Sequence, residues 1–298
     1  MGSDASFYRV AAIGWTRRAV LRVGLLAVGG WAIGCATNPV TRRRQFMLLT
    51  TEDEIRLDRQ FAPHQISADF GAVRDPTLHA YVQQIGLSLA GVSHRPNMPY
   101  SFRVVNASYC NAYAFPGGTI AVTRGMLLEL EDEAQLAALL GHEIGHVCAR
   151  HAAEQMSKHV VAGLVVAGVA AAARRRGEAY EDWALGLGAI GAGMLLARYS
   201  RNDEREADEL GMRYAVRAGY PAEGMVGLMD ILRRMSRTRP NAIERMFASH
   251  PMSEERYQTA ADRARQAAFA STADAPRHRD RFLEATARLR AVQPAVEA

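Results

Sequence analysis

The spacing of apolar and polar positions predicts two helices at the start of the folded region. Thr51 and Glu54 have the spacing of a capping box, so a helix is predicted from there to about Ile66. A second helix is predicted after Asp75-Pro76, because proline is favoured in the first turn of a helix. Its apolar stripe has helical spacing and consists of Leu78, Val82, Ile85 and Leu89.

A short β section follows these helices. Residues 100–105 alternate between apolar and polar side chains, as in a half-buried strand. Two further strands are predicted at Ala112–Phe115 and Thr119–Val122, with Pro116-Gly117-Gly118 as the turn between them. The strand at Ala112–Phe115 is either an exposed edge or an ordinary strand with two paired neighbours.

A long apolar helix is predicted from Glu131 to about Met156, after a short helix at residues 123–130. It carries the sequence His142-Glu143-Ile144-Gly145-His146. Residues four apart lie on one face of a helix, so both imidazoles can bind one zinc ion, and Glu143 can take a proton from metal-bound water. The alternative is a solvated helix face. The apolar surroundings favour a buried helix, where this cluster without a partner is costly to desolvate.

A zinc site of this kind needs one more protein ligand and an open position. The pattern with a third histidine six residues after His146 is absent, because Ala152 stands there. Glu204, in the acidic stretch 200–208, is the candidate ligand, and Glu206 is the second choice. Asp208 lies one helical turn after Glu204 and can accept the free ring N–H of a zinc-binding histidine. Taken alone, this stretch is more typical of a solvated acidic helix, and its combination with the His-Glu-x-x-His sequence favours the metal site.

Three other residues have open interpretations. His151 lies five positions after His146, off the predicted zinc-binding face, as either a solvent-exposed histidine or a support for a ligand. Cys110 and Cys148 either pair as a disulfide in an oxidising compartment or remain buried free thiols.

Residues 1–34 are predicted to be an export signal. Thr16-Arg17-Arg18 precedes the apolar run 23–33, an order that resembles the twin-arginine signal. The run ends at Ala32-Ile33-Gly34-Cys35, which resembles a lipobox with Ala32 where leucine is usual. We therefore expect Cys35 to be acylated and residues 35–50 to be a lipid-anchored tether. A transmembrane anchor is the alternative, although the run is shorter than the roughly 20 residues that a spanning helix needs.

Residues 159–197 contain two runs rich in glycine and alanine, Val160–Ala173 and Trp183–Ala197, with a charged stretch between them. They predict a helical hairpin that could act as a lid. The alternative is a pair of short membrane-embedded segments. The rest of the chain is divided into a predicted zinc-binding domain at residues 51–270, which carries the His-Glu-x-x-His sequence, and a C-terminal helix and tail at 271–298.

The charge of the chain indicates no nucleic-acid partner. The formal net charge is +5 over 298 residues, and residues 1–34, with four arginines and one aspartate, account for three of these charges. No basic stripe interleaved with aromatic residues is present.

Several motifs together resemble a known family. They are Asn111–Gly118, the His-Glu-x-x-His sequence, Ser200-Arg201 with Glu204 and Ala207-Asp208, and Ser249-His250-Pro251 with Arg256. They resemble the zinc peptidase family of the CAAX prenyl endopeptidases and HtpX, in particular its periplasmic lipoprotein branch, which includes the β-barrel assembly-enhancing protease. The resemblance covers roughly residues 40–265. After about residue 270 we expect no helical-repeat domain of the kind that this protease carries.

The resemblance implies an α+β fold: a mainly helical, gluzincin-like metallopeptidase domain with a small β-sheet next to the zinc-binding helix. It implies one Zn²⁺ per chain, held by His142, His146 and Glu204, with Glu143 as general base. It also places His250 at the active site, where it either donates to the oxyanion or binds zinc and blocks the enzyme.

The remaining implied roles concern the surroundings of the zinc. Asp208 and Arg256 are expected to support the site, Arg256 either by orienting a carboxylate or by capping the site. An extended substrate would add as a strand to Ala112, Tyr113, Ala114 and Phe115.

The resemblance implies an endopeptidase that cleaves unfolded or misassembled envelope proteins. Acylated Cys35 would hold it at the periplasmic face of the outer membrane, since Ala36 rather than aspartate follows the cysteine. Outer-membrane assembly factors are expected as possible partners. The alternative function is a chaperone-like or latent binding protein whose zinc site is blocked by His250. A purely structural zinc site is a third possibility.

Overall fold

The structure is a computed structural model that describes residues 35–173, 199–270 and 272–291. The strands are β1 (Cys35–Thr37), β2 (Arg44–Phe46), β3 (Ser101–Val105), β4 (Ala112–Ala114) and β5 (Thr119–Thr123). The helices are α1 (Thr51–Ala68), α2 (Pro76–Gly91), α3 (Arg124–Glu129), α4 (Glu133–Ala149), α5 (His151–Ala173), α6 (Arg201–Arg217), α7 (Glu223–Thr238), α8 (Pro240–Ser249), α9 (Glu254–Ala264), α10 (Ala267–Ala270) and α11 (Arg279–Ala291). The expected mainly helical α+β fold is confirmed.

The main sheet has three strands in the order β3-β5-β4. Strand β3 runs parallel to β5, and β4 runs antiparallel to it, with Tyr113 opposite Ala121. Within the described parts of the chain, β4 is thus paired on one side and forms an edge of the sheet, as the first of its two interpretations requires.

Helix α4 is the centre of the fold, since every one of its residues is buried. It packs against α6 and α7, and it approaches α6 very closely. A side chain at Gly211 would meet the backbone nitrogen of His142 at 2.6 Å, and one at Gly141 would meet the Gly211 carbonyl oxygen at 2.8 Å. The glycines therefore let the two helix backbones nearly touch, and side chains on their facing surfaces share one small volume.

The predicted continuous helix from Glu131 to Met156 is wrong, because the chain breaks it at Arg150. This residue has a left-handed backbone (φ 62°), which ends α4 and turns the chain into α5. Such a conformation is costly for a residue with a Cβ atom. It is held by hydrogen bonds from the guanidinium to Glu54 (Nε–Oε1 2.9 Å) and to the Leu49 carbonyl oxygen (2.7 Å).

The predicted capping box of α1 is shifted by one residue. Thr50 is the N-cap and Asp53 completes the box, in place of Thr51 and Glu54. Glu54 is instead fully buried and accepts hydrogen bonds from Arg95 (2.7 Å) and Arg150. A buried carboxylate between two guanidiniums is stable only while both partners remain, so this triad ties α1 to the end of α4.

The segment predicted as a tether, residues 35–50, contains an antiparallel hairpin of β1 and β2 that packs on the fold. The buried Asn38 amide donates to the Ala149 carbonyl oxygen at 3.2 Å, and the Leu48 backbone N–H donates to Ser157 Oγ at 2.9 Å. The chain that follows Cys35 is thereby joined to the junction of α4 and α5.

The C-terminal helix α11 closes the other end of α4. The buried Glu133 carboxylate accepts hydrogen bonds from Arg281 on α11, from Tyr81 (2.7 Å) and from Tyr220 (2.7 Å). Both ends of the central helix are therefore fixed by buried polar networks.

Two open questions from the sequence are addressed by the described residues. Cys110 and Cys148 are buried free thiols, so the disulfide alternative is not formed. Within residues 35–173, 199–270 and 272–291, no helix combines the length and the apolar character needed to cross a bilayer. The predicted hairpin at 159–197 is described only in the part that belongs to α5, and residues 174–198 lie outside the described residues.

Candidate metal centre

Four buried side chains converge where α4 faces α6. His142 and His146 come from α4, Glu204 from the first turn of α6 and His250 from the end of α8, and their ligand atoms all lie within 4.8 Å of one another. His142 and His146 bring their Nε2 atoms to 3.1 Å, and Glu204 Oε1 lies 3.4 Å from His146 Nε2. The three predicted ligands therefore meet at one point.

The geometry of these donors fits a small cation. A tetrahedral site with bonds of about 2.0–2.1 Å has ligand-to-ligand distances of about 3.3 Å. The Nε2 distance between the two histidines and the distance of Glu204 from His146 are close to this value. Nδ1 of each ring faces another partner, so both Nε2 atoms can direct lone pairs at each other. A cation between them relieves that repulsion, and imidazole nitrogen with carboxylate is a donor set typical of zinc.

Asp208 and Arg256 support the candidate ligands. Asp208 Oδ1 lies 2.9 Å from His142 Nδ1, which holds that imidazole with Nε2 toward the cluster. Burial raises the pKa of Asp208, but the charge and hydrogen bonds of Arg256 outweigh it, and the pKa lies below its usual value. The same guanidinium places Nη1 2.7 Å from Glu204 Oε2. Although burial also raises the pKa of Glu204, His250, His146 and Arg256 together hold it well below the usual range.

Glu143 lies beside the cluster as a buried carboxylate with neither oxygen in a hydrogen bond to the described protein. A buried carboxylate without a donor is costly, and burial accordingly raises the pKa of Glu143. Such a group is suited to accept a proton from a bound reactant.

His250 lies directly beside the candidate ligands and is buried. Its Nδ1 atom is 3.0 Å from Glu204 Oε1 and 3.3 Å from His142 Nε2, and its Nε2 atom is 3.9 Å from Glu143 Oε1. Burial lowers the pKa of His250, but the Glu204 and Glu143 carboxylates outweigh this effect and raise it above its usual value. The structure thus places His250 within the cluster, where both of its expected roles are geometrically open.

One residue at this site, Tyr199, was not assigned to it from the sequence, and a second, His151, was left with two interpretations. The ring of Tyr199 stacks on His146 with centroids 4.0 Å apart, and its backbone N–H donates to the Ser249 carbonyl oxygen at 3.1 Å. His151, of the two interpretations, takes the supporting one: it is buried with Nδ1 3.0 Å from His146 Nδ1. Tyr199 follows a run of glycine and alanine residues, which contains no motif that would place it at a metal site. The helix break before His151 could not be predicted, because no glycine or proline stands at that point.

The predicted substrate strand lies near this cluster. A narrow cleft is lined by Ala114 and Phe115 at the end of β4 together with His146 and Tyr199. Ala112 and Phe115 are buried, whereas Tyr113 and Ala114 are partly exposed. Cys35, the predicted lipidation site, begins β1.

Comparison with known proteins agrees with this geometry. The sequence profile of peptidase family M48 matches residues 76–264. A putative beta-barrel assembly-enhancing protease of Vibrio cholerae is 30% identical over 201 residues, which are 65% of this chain and 40% of that protein. Metalloprotease YcaL of Escherichia coli is 32% identical over 165 residues, 55% of this chain and 62% of that protein.

A eukaryotic relative is similar over a longer stretch. Mitochondrial metalloendopeptidase OMA1 of Schizosaccharomyces pombe is 28% identical over 222 residues, 73% of this chain and 63% of that protein. The chain spans about 40% of the length of the beta-barrel assembly-enhancing proteases that it matches. The profile match covers all three of the predicted protein ligands, and the chain belongs to peptidase family M48.

Proposed function

We propose that this protein is a zinc-dependent endopeptidase of the bacterial cell envelope that cleaves misfolded or misassembled proteins. The observation that carries the proposal is the convergence of His142, His146 and Glu204 next to Glu143, whose carboxylate has no hydrogen-bond donor in the described protein. Family membership and the names of the metalloprotease relatives support the reaction type.

The roles of the residues follow from their positions. When bound, Zn²⁺ would act as a Lewis acid that polarises the scissile carbonyl and makes a water molecule a better nucleophile. Glu143 accepts the proton of that water and delivers it to the leaving amine. Its raised pKa favours the first transfer, because a higher pKa makes the carboxylate a stronger base. His250, whose ring nitrogens lie 3.0 Å from Glu204, 3.3 Å from His142 and 3.9 Å from Glu143, donates a hydrogen bond to the developing oxyanion.

Strand β4 can hold the substrate in an extended form. Backbone hydrogen bonds join Thr123 to Asn111 and Phe115 to Thr119 at its two ends. Because hydrogen-bonded and non-hydrogen-bonded pairs alternate in an antiparallel ladder, the backbone groups of Ala112 and Ala114 point toward the free edge. An extended peptide adds there as a further strand and is recognised by its backbone, which suits unfolded clients.

The cellular setting is part of the proposal. Acylated Cys35 anchors the protein at the periplasmic face of the outer membrane, and the export signal at residues 1–34 delivers it there. Several relatives are named beta-barrel assembly-enhancing proteases, which supports misassembled envelope proteins as clients and outer-membrane assembly factors as partners.

A single variant tests the catalytic proposal. Glu143→Gln keeps the size of the side chain and every candidate ligand but removes the proton acceptor. We expect it to bind Zn²⁺ like the native chain and to lose cleavage of casein by at least about 100-fold, the scale of general-base catalysis. Undiminished cleavage by this variant contradicts the proposal.

The alternative function is a latent, chaperone-like protein whose zinc site is closed by His250. It is favoured by one observation, the position of His250 Nδ1 at 3.0–3.3 Å from Glu204 and His142, where it can complete a four-coordinate site. A site with four protein ligands has no open position for a reactant.

The variant His250→Ala separates the two functions. If His250 assists catalysis, the variant loses casein cleavage while it retains zinc. If His250 blocks the metal, the variant cleaves faster than the native chain. Radiolabelled palmitate incorporation, lost in Cys35→Ser, tests the anchor independently of either outcome.

A further inference from the structure

A histidine outside the candidate ligand set is in direct contact with one of the ligands. His151 is 2% exposed, and its Nδ1 atom lies 3.0 Å from Nδ1 of His146. On its other side, His151 Nε2 is 3.4 Å from Glu206 Oε2 and 3.8 Å from Asp203 Oδ1. His151 therefore lies between the candidate ligand His146 and the partly exposed carboxylates of Glu206 and Asp203.

The direction of the hydrogen bond between the two rings is set by the metal site. His146 can bind a cation through Nε2 only if Nε2 carries a lone pair, so in the neutral ring the proton is on Nδ1. His146 Nδ1–H then donates, and His151 Nδ1 accepts. His151 in turn carries its proton on Nε2, the atom that faces Glu206. Each ring is thereby held in one tautomer.

The backbone break at Arg150 makes this contact possible. In one continuous helix, positions 146 and 151 would be about 140° apart around the axis, and their side chains would diverge. The left-handed conformation of Arg150 (φ 62°) ends α4 and brings His151 back beside His146. Glu54 holds Arg150 in this conformation through a buried hydrogen bond of 2.9 Å. The left-handed backbone of Arg150 is thus the reason that His151 contacts His146 at the metal centre.

The other histidine ligand is supported differently. His142 faces Asp208, a carboxylate that Arg256 neutralises. His146 faces a neutral imidazole, which accepts one hydrogen bond without bringing a further charge into the buried cluster. Partners of this kind orient metal-binding histidines, and their removal typically weakens metal binding 10–100-fold.

We infer that His151 is a positioning residue of the metal centre: it accepts the Nδ1 proton of His146, keeps Nε2 of that ligand free for the metal, and is itself oriented by Glu206. The inference rests on the proposed metal site and concerns a residue that touches neither the metal nor the substrate.

Two variants with the same branched side-chain skeleton isolate the acceptor. His151→Asn retains an oxygen at the place of Nδ1, whereas His151→Leu has the same branching and no acceptor. Affinity for Zn²⁺ is measured in the full chain by competition with a chromophoric chelator, and Co²⁺ substitution reports ligand geometry through its visible spectrum. We expect His151→Leu to bind Zn²⁺ 10–100-fold more weakly with an altered Co²⁺ spectrum, and His151→Asn to recover most of the affinity.

A matched control removes a histidine hydrogen bond elsewhere in the fold. His94 Nδ1 lies 2.7 Å from the Tyr214 hydroxyl, and His94 is not part of the metal cluster. His94→Leu can lower the melting temperature, as His151→Leu can, but it leaves Zn²⁺ affinity and the Co²⁺ spectrum unchanged.

The possible outcomes separate the inference from the proposed function. Equal Zn²⁺ affinity of the His151→Leu and His151→Asn proteins overturns the inference, because the acceptor then has no effect. If the native chain binds no Zn²⁺, the proposed function fails together with the inference. Weak binding by His94→Leu as well overturns the inference, because general destabilisation then accounts for the loss.

Discussion

Arg256 binds Asp208 through two parallel hydrogen bonds, with Nε 2.8 Å from Oδ2 and Nη2 2.7 Å from Oδ1. Its third nitrogen, Nη1, is 2.7 Å from Glu204. One guanidinium therefore positions a candidate ligand directly and a second, His142, through Asp208. The geometry uses the planar fork of arginine, which lysine cannot reproduce.

Arg256→Met is expected to destabilise the protein by about 3–5 kcal/mol, because it leaves two buried carboxylates without their cation. It should also weaken Zn²⁺ binding, since Asp208 and Glu204 lose their orientation. Urea unfolding and chelator competition measure the two effects. Arg213→Met is the control: its partner is the partly exposed Glu209, and such surface pairs contribute about 0–1 kcal/mol. Similar losses in both variants would contradict the role given to Arg256.

Gly211→Val tests the close contact of α4 and α6. A Cβ atom at Gly211 would lie 2.6 Å from the His142 backbone nitrogen, so the helices must separate. We expect a loss of about 1–3 kcal/mol of stability and weaker Zn²⁺ binding, because Glu204 moves away from the histidines with α6.

Gly91→Ala is the control for this substitution. Gly91 also lies in a helix, at the end of α2, but a Cβ atom there meets nothing within 4 Å. Its stability should be unchanged or higher by up to about 1 kcal/mol. A Gly211→Val protein with native stability and metal affinity would show that the approach of the helices does not build the site.

Ala114→Pro tests whether β4 binds the substrate. Proline removes the backbone N–H that points toward the free edge and leaves the pairing of Tyr113 with Ala121 in place. We expect a higher KM for an extended peptide substrate, with Zn²⁺ affinity unchanged. Tyr113→Phe is the control, since it removes only the hydroxyl that donates to Asp69 at 2.6 Å. An unchanged KM in Ala114→Pro would place the substrate elsewhere.

Glu133 should make stability depend on pH at acid values. Burial raises the pKa of its carboxyl, but hydrogen bonds from Arg281, Tyr220 and Tyr81 outweigh burial and lower it. An acid with a lowered pKa in the fold contributes stability that is present above its unfolded pKa of about 4.3 and lost as the pH falls through the folded pKa. The difference in unfolding free energy between the native chain and Glu133→Gln should therefore shrink below about pH 4.

Asp58 provides the opposite case. Burial raises the pKa of this carboxyl despite hydrogen bonds from Thr119. An acid with a raised pKa contributes stability that is present at low pH and lost as the pH rises through its folded pKa. The difference in unfolding free energy between the native chain and Asp58→Asn should therefore change with pH in the opposite direction to that of Glu133→Gln. Parallel pH profiles for the two variants would contradict both assignments.

Removal of the metal is expected to lower stability. Zn²⁺ at 1,000 times its dissociation constant adds about 4 kcal/mol to the folded state, so a chelator should lower the melting temperature. Glu143→Gln should show the same chelator effect, because Glu143 is not one of the four side chains that could hold the metal, whereas His146→Ala should show a reduced one. If the chelator does not change the melting temperature of the native chain, the metal site is absent.

Local chemistry made several features predictable from the sequence. The spacing of His142 and His146 on one helix, the proline-opened helix at Pro76 and the turn at Pro116–Gly118 depend on near neighbours only. Glu204 and Asp208 were predictable as a pair because one helical turn separates them. Motifs of this kind carry their geometry in the residue spacing itself.

Only the tertiary structure decided which distant residues meet. The break at Arg150 depends on Glu54 and Leu49, about 100 positions away in the chain, and a local pattern contains no such information. The same holds for the backbone contact between α4 and α6, which brings Glu204 to His146, and for His250 and Tyr199. Helical spacing determined two candidate ligands and the carboxylate beside them. Long-range packing of buried polar groups, each of which needs a partner, determined the rest of the candidate site.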